Sequence, residues 1–143
     1  MSSDWNNRPG WDVIGGKRIY FRSKLERRWA ALLETWRQGG AIFDWEYEPH
    51  RFEFEGIKRG TNSYLPDFKV TLCHGVYEWH ECKGHIVQKD VTKFRRMAKY
   101  HPNQRMVLVM QNVTKKNSFK VKQATERGAR LIEAEKELRK LGL

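Results

Sequence analysis

From residue 25 onward the apolar positions Leu25, Trp29, Leu32, Leu33 and Trp36 fall at i, i+4, i+7, i+8 and i+11, which at 100° per residue makes one stripe. The spacing predicts a helix that opens at Ser23, where Ser23 and Glu26 form a capping box, and stops at Gly39-Gly40. Glu26 projects about 20° from Leu33, at the edge of the stripe, so its carboxylate aims near the core rather than at open solvent. Beyond residue 41 the period shortens to two. Phe43, Trp45, Tyr47, Phe52 and Phe54 alternate with polar residues, which gives one or two strands over 42–55 broken near Pro49, then a polar loop over 56–62. Strand character returns over 64–70 and 76–83 around a turn at His74-Gly75, and Gly84 ends it.

A second helix is expected from Lys89 to His101, with Val91, Phe94, Ala98 and His101 on one side and Lys89, Lys93, Arg96 and Tyr100 on the other. The continuous run Arg105 to Met110 reads as a buried strand reached by a helical crossover. A last, basic helix over about 118–141 would put Val121, Ala124, Gly128, Leu131, Ile132 and Leu138 on one side. Residues 1–16, where Trp5 and Trp11 stand among polar residues, Pro9 and Gly10, read as an N-terminal arm packed on the same fold or on a second subunit. The layout is α/β in the mixed α+β sense: one domain over 17–143 with a small mixed central sheet flanked by helices.

Composition changes this picture in one respect. The 143 residues suit a single domain, and 28 Lys+Arg against 17 Asp+Glu leave a net charge of +11. Residues 1–83 carry 13 basic and 12 acidic side chains, whereas residues 84–143 carry 15 and 5, so nearly all the excess lies in the last 60 residues. A basic half of this kind favours polyanions through phosphate neutralisation and counterion release. A mean hydropathy of −0.80, with no apolar run near the roughly 20 residues a bilayer span needs, excludes a transmembrane helix. The opening residues lack the basic and apolar regions of a signal peptide, so a cytoplasmic protein with no membrane partner is expected. Cys73 and Cys82 are too few for a disulfide framework, and with His74 and His80 they make no zinc site, because a hairpin turning at His74-Gly75 leaves the cysteines roughly 20 Å apart. No nucleophile elbow, P-loop lysine or dinucleotide fingerprint is present, so no organic cofactor is expected.

The candidate chemistry lies on the hairpin. Glu81 and Lys83 are two apart on one strand and leave the same face, and pairing around His74-Gly75 brings Asp67 beside residues 81–82. Two carboxylates on neighbouring strands, with Glu26 as a possible third, make a hard-oxygen set suited to Mg²⁺ or Mn²⁺. Lys83 adds positive charge where a phosphodiester transition state builds negative charge, and is placed to orient or deprotonate water. The basic helix face of Lys89, Lys93, Arg96 and Tyr100 begins just after Lys83 and reads as a phosphate-tracking surface, with Arg22 a further candidate.

Pro66-Asp67 followed by Glu81-Cys82-Lys83 resembles the PD-(D/E)xK nuclease signature, with Glu26 in the place of its upstream helical glutamate. A closer resemblance is to the phage endonuclease I family of Holliday-junction resolvases. It is carried by Phe21-Arg22-Ser23-Lys24-Leu25-Glu26, Trp45-Glu46-Tyr47-Glu48, Thr61-Asn62 with Tyr64-Leu65-Pro66-Asp67-Phe68, and Glu81-Cys82-Lys83-Gly84, in order over roughly residues 15–110. The resemblance implies a restriction-endonuclease-like core and a divalent-metal-dependent endonuclease that cuts four-way DNA junctions to 5′-phosphate ends. It also implies a homodimer, working in a phage-infected or bacterial cytoplasm. By position Glu26, Asp67 and Glu81 would be catalytic metal ligands, the backbone carbonyl of Cys82 a further ligand and Lys83 catalytic, and Asn62 joins the nucleic-acid-contacting set. The same signature occurs in nicking and restriction-type enzymes acting on linear duplex. A non-catalytic basic DNA-binding protein is the alternative from another class.

Overall fold

The computed structural model describes residues 9–143; Trp5, with the rest of residues 1–8, lies outside the described residues. Two strands open the chain, β1 (Gly10–Ile14) and β2 (Lys17–Phe21), followed by helix α1 (Lys24–Gln38). Then come β3 (Asp44–Tyr47), β4 (Phe52–Glu53), β5 (Ser63–Tyr64), β6 (Phe68–Thr71) and β7 (Tyr77–Lys83). Helix α2 (Gln88–Tyr100), strand β8 (Met106–Met110), helix α3 (Ser118–Thr125), strand β9 (Arg130–Glu133) and helix α4 (Ala134–Lys140) complete it.

Five strands form the central sheet in the order β3-β6-β7-β8-β9. β3, β6 and β7 pair antiparallel, and β7, β8 and β9 pair parallel. Strand alternation sorts the side chains between two cores. Cys82, Val107 and Val109 meet α1 and α4 on one face, with Trp29, Leu33, Trp45, Phe68 and Leu138. Trp79, Met106, Leu108 and Met110 meet α2, α3 and the short β4–β5 ribbon on the other, with Phe52, Tyr64, Val91 and Phe94. Each fully buried large side chain contributes about 1.5–3 kcal/mol of transfer free energy, so the two clusters are the main source of stability.

Helix α1 starts as its sequence dictates. Ser23 is extended (φ −150°, ψ 162°) and its Oγ accepts the Glu26 amide at 3.1 Å. Only this half of the capping box forms, because the Glu26 carboxylate turns to the Arg22 amide and to Tyr47 instead. Gly40, at φ +82°, closes the other end.

Two expectations are corrected. Within the segment read as an arm, Gly10–Ile14 is a strand paired antiparallel with β2 from Gly10↔Phe21 to Ile14↔Lys17, joined by Gly15-Gly16 with both φ angles positive. The long C-terminal helix is a helix, a strand and a helix. Gly128 sits at φ +107°, which breaks the helical run, and Leu131 and Ile132 enter the sheet parallel to Leu108 and Val109. A chain of polar contacts links α1, β7 and β9: the Trp29 Nε1–H donates to His80 Nδ1 at 3.0 Å, His80 Nε2 faces Glu78 Oε2 at 3.3 Å, and Arg130 donates to Glu78 Oε1 at 2.9 Å.

Glu34 ties α1 to β3 and backs the turn of the β1–β2 hairpin. Its buried carboxylate accepts from Trp45 Nε1 and Arg37 Nε, each at 2.9 Å, and from Gln38 Nε2 at 2.9 Å. A Cβ on Gly15 would lie 2.6 Å from Glu34 Cδ, so the turn rests against this carboxylate. Hydrogen bonding from Arg37 above all, against the opposing effect of burial, lowers the Glu34 pKa from 4.5 to about 2. The folded state therefore binds its proton more weakly than the unfolded chain, and this stabilisation is full above about pH 4.5 and lost as pH falls through about 2. Glu34→Gln is expected to lower stability at pH 7 by about 1–3 kcal/mol and to flatten that acid limb. Urea midpoints of both proteins between pH 2 and 7 check this; parallel curves would contradict it.

Candidate functional site

Four elements bring the candidate residues to one end of the sheet. Glu26 comes from the first turn of α1, Asp67 from the residue before β6, Glu81 and Lys83 from the end of β7, and the N-terminal turn of α2 faces them. Phe68 pairs with His80, so Asp67 stands opposite Glu81 one step further along the antiparallel pair. Asp67 Oδ2 accepts the Cys82 amide at 2.8 Å, Glu81 Oε1 accepts the Tyr64 hydroxyl at 2.7 Å, and Glu26 Oε1 accepts the Tyr47 hydroxyl at 2.6 Å. Lys83 Nζ lies 3.6 Å from Glu81 Oε2 and 3.0 Å from Asp90 Oδ1. Asp90 in turn accepts the Val87 amide at 2.8 Å, which ties the lysine's partner to the start of α2.

These carboxylates are out of water and act on one another. Burial, then the charges of Glu81 and Glu26, push the Asp67 carboxyl well above the usual carboxylate range, and the Cys82 amide and Lys83 offset only part of this. Burial likewise raises Glu81 against the pull of Lys83 and Tyr64. Lys83 is desolvated too, yet Glu81 and Asp90 outweigh that and raise its pKa, so it is an ammonium donor at neutral pH. A group in that state donates hydrogen bonds and offsets nearby negative charge. Burial first, with the adjacent carboxylates, also raises the Tyr47 and Tyr64 hydroxyls, which keeps both as O–H donors.

Several contributors were not singled out from the sequence. Tyr47, Tyr64 and Asp90 have roles that depend on which elements pack together; the one local signal was Asp90 at the third position after Val87, where helix starts favour an acid. Glu48 belongs with them. It is half-buried at φ +47°, its amide donates to the Asp67 carbonyl at 2.8 Å, and its Oε2 lies 2.9 Å from Arg22. A non-glycine residue held in the left-handed region beside a cluster of carboxylates is local strain of the kind functional sites store.

The donor chemistry fits a hard divalent cation: buried carboxylate oxygens that repel one another, with a cationic lysine balancing part of their charge. Their atoms are not drawn into a coordinating group, since no set of three or more His, Cys, Asp or Glu side chains among the described residues is arranged to hold a metal ion. The reason is visible in the contacts, because Glu26, Asp67 and Glu81 each point an oxygen at a tyrosine or an amide.

Beside the carboxylates runs a groove of about 530 Å³ whose lining includes Arg22, Arg51, Asn62, Tyr64, Lys89 and Lys93. Tyr64 lines this groove, with Lys93 5.6 Å from its ring centre, and its hydroxyl donates to Glu81, so the groove and the carboxylate cluster share a wall. Arg22, Asn62, Lys89 and Lys93 are thus gathered as the sequence suggested. Arg96 is turned to the Thr61 carbonyl and braces the loop that forms one side. Tyr100 departs from the expected outer face: it is half-buried with its ring 5.7 Å from Phe54, because the β4–β5 ribbon covers that side of α2. His80 faces α1, away from Glu81, as strand alternation requires. A larger cavity of about 600 Å³, bordered by Glu78, Arg105 and Arg130, lies towards the other end of β7 and contains none of the candidate residues.

No protein-family profile matches the chain, and no curated protein does. Among solved structures it is similar to protein VC1899 from Vibrio cholerae, with a TM-score of 0.51 and 14% identity over 90% of this chain. The chain spans 37% of that protein's length. At this identity the likeness is one of fold, and it agrees with a small mixed α/β architecture. Among the described residues no helix is long and apolar enough to cross a membrane.

Proposed function

We propose that the chain is a divalent-metal-dependent, structure-selective DNA endonuclease, in its most specific form a Holliday-junction resolvase acting in the cytoplasm as a homodimer. One observation carries the reading: Glu26, Asp67 and the Glu81–Lys83 pair, from three separate stretches of sequence, form one acidic and lysine cluster that shares Tyr64 as a wall with a basic groove. Glu26, Asp67 and Glu81, with the Cys82 carbonyl, would hold Mg²⁺ or Mn²⁺. Such an ion polarises the phosphoryl oxygen, helps ionise water and stabilises the leaving oxygen.

The chain's own residues do the rest. Arg22, Lys89 and Lys93 neutralise backbone phosphates and set the register of the strand along the groove. Lys83, kept charged and fixed in place by Asp90, presents an N–H donor where negative charge grows on the phosphorus oxygens. Tyr47 and Tyr64 fix the orientation of the carboxylates. Hydrolysis in line would leave 5′-phosphate and 3′-hydroxyl ends, and two subunits would nick opposed strands of a junction.

The test compares an end-labelled four-way junction with nicked and linear duplexes of the same sequence, each with Mg²⁺ and with EDTA. Cleavage of the junction in Mg²⁺ alone is expected, with affinity falling steeply as salt rises because the contacts are to phosphates. Equal cutting of the linear duplex would assign a restriction-type enzyme instead. A mobility shift under both conditions with no cutting would assign a DNA-binding protein.

A further inference from the structure

The β1–β2 hairpin presents two unlike faces. Towards the body of the protein it is firmly held: Asp12 lies 3.6 Å from Arg27, Ile14 and Ile19 pack on the core, and Lys17 lies 3.7 Å from Asp44 and 4.2 Å over the Trp45 ring. Its outer face carries Trp11, Val13, Arg18 and Tyr20, opposed in register as Trp11↔Tyr20 and Val13↔Arg18. Trp11 is 55% exposed, Val13 60% and Tyr20 45%. The two rings meet edge to face at 5.3 Å, and the Arg18 guanidinium lies 4.2 Å over Trp11. Among the described residues the ring and cation contacts of these side chains lie within the hairpin itself, so this is an apolar and aromatic patch turned to water, yet rigidly mounted.

We infer that this face is a stacking platform for unpaired nucleobases of DNA, an inference that rests on the nuclease reading above. Its chemistry is selective. Exposed aromatic rings with a guanidinium stack on any base, and among the described residues of this hairpin face Arg18 is the one charge and no carboxylate stands beside it, which suits a base flanked by phosphates. Because the inner face is already fixed, little ordering is needed on binding. A second copy of the chain fits less well on this face, because four side chains fall far short of the roughly 800 Å² per partner of a stable interface. Tyr20 stands two residues along the strand from Arg22, which lines the groove. A substrate with unpaired bases at a branch point would thus be held at both places.

The experiment uses the full chain in EDTA, so that nothing is cut, with labelled oligothymidine and a duplex of equal length. Trp11→Ala and Tyr20→Ala are each expected to weaken oligothymidine binding about tenfold while duplex affinity is unchanged, and Trp11→Phe to retain most of it. Circular dichroism verifies that the variants fold. Unchanged oligothymidine affinity overturns the platform, as does an equal loss on both DNAs or a change from dimer to monomer in light scattering with oligothymidine binding intact. If the wild type cuts junctions but these variants bind normally, the platform alone falls; if the wild type binds neither DNA, the nuclease reading falls with it.

Discussion

Asp67→Asn and Lys83→Ala are expected to remove junction cleavage while leaving junction binding close to that of the wild type. For Lys83 the loss is about 10²–10³-fold, the effect of deleting one fixed donor at a site of developing charge. Asp67→Asn should lose at least as much, because a carboxamide is a poor ligand for Mg²⁺ or Mn²⁺. The asparagine oxygen can still accept the Cys82 amide that Asp67 Oδ2 accepts at 2.8 Å, so the fold survives. The metal-free variant should in fact be more stable than the wild type, since folding no longer has to bury a charge or take up a proton at this position beside Glu81 and Glu26. Added Mg²⁺ should then raise the melting temperature of the wild type and not of Asp67→Asn. Single-turnover cleavage, mobility shift and thermal melting together decide the matter. Wild-type cleavage rates in both variants would sink the proposed function.

The second large effect falls on stability. Phe68 is fully buried, with its ring 6.0 Å from Trp45 and 5.4 Å from Tyr47, and it follows Asp67 directly. Phe68→Ala should cost about 3–5 kcal/mol, a large part of the roughly 5–15 kcal/mol a domain of this kind possesses. The loss reaches the site as well. Tyr47 rests on Phe68 and donates to Glu26, so a cavity at Phe68 loosens the hydroxyl that orients this carboxylate. Phe68→Leu should recover most of the stability. Urea unfolding of both variants, with m-values unchanged, is the check; a Phe68→Ala midpoint equal to the wild type would contradict the packing described.

Where a single period fits a run of residues, the structure was legible. The stripe Leu25, Trp29, Leu32, Leu33 did form α1, and the hairpin turning at His74-Gly75 did set Asp67 opposite Glu81. Legibility failed where two periods fit the same residues. Leu131 and Ile132 satisfy a helical stripe with Val121 and Ala124, yet two adjacent apolar residues after Gly128 also suit a short parallel strand, and pairing with β8 decided it. The β1–β2 hairpin was missed because its outer face is aromatic rather than polar, which hides the usual alternation of a half-buried strand. In the candidate site the charged residues were visible from spacing, whereas their tyrosine partners and Asp90 were not, since Tyr47, Tyr64 and Asp90 come from three other elements.

Strand β9 has a protective consequence. Without it β8, the run Met-Val-Leu-Val-Met, would present five apolar residues on an open edge, the type of segment that recruits strands from other molecules and seeds aggregation. β9 occupies that edge with a strand bounded by Arg130 and Glu133, both of which have ionic partners, in Glu78 and Lys136. A chain cut at Gly128 would therefore be prone to precipitate even though every residue of the acidic cluster remained in it.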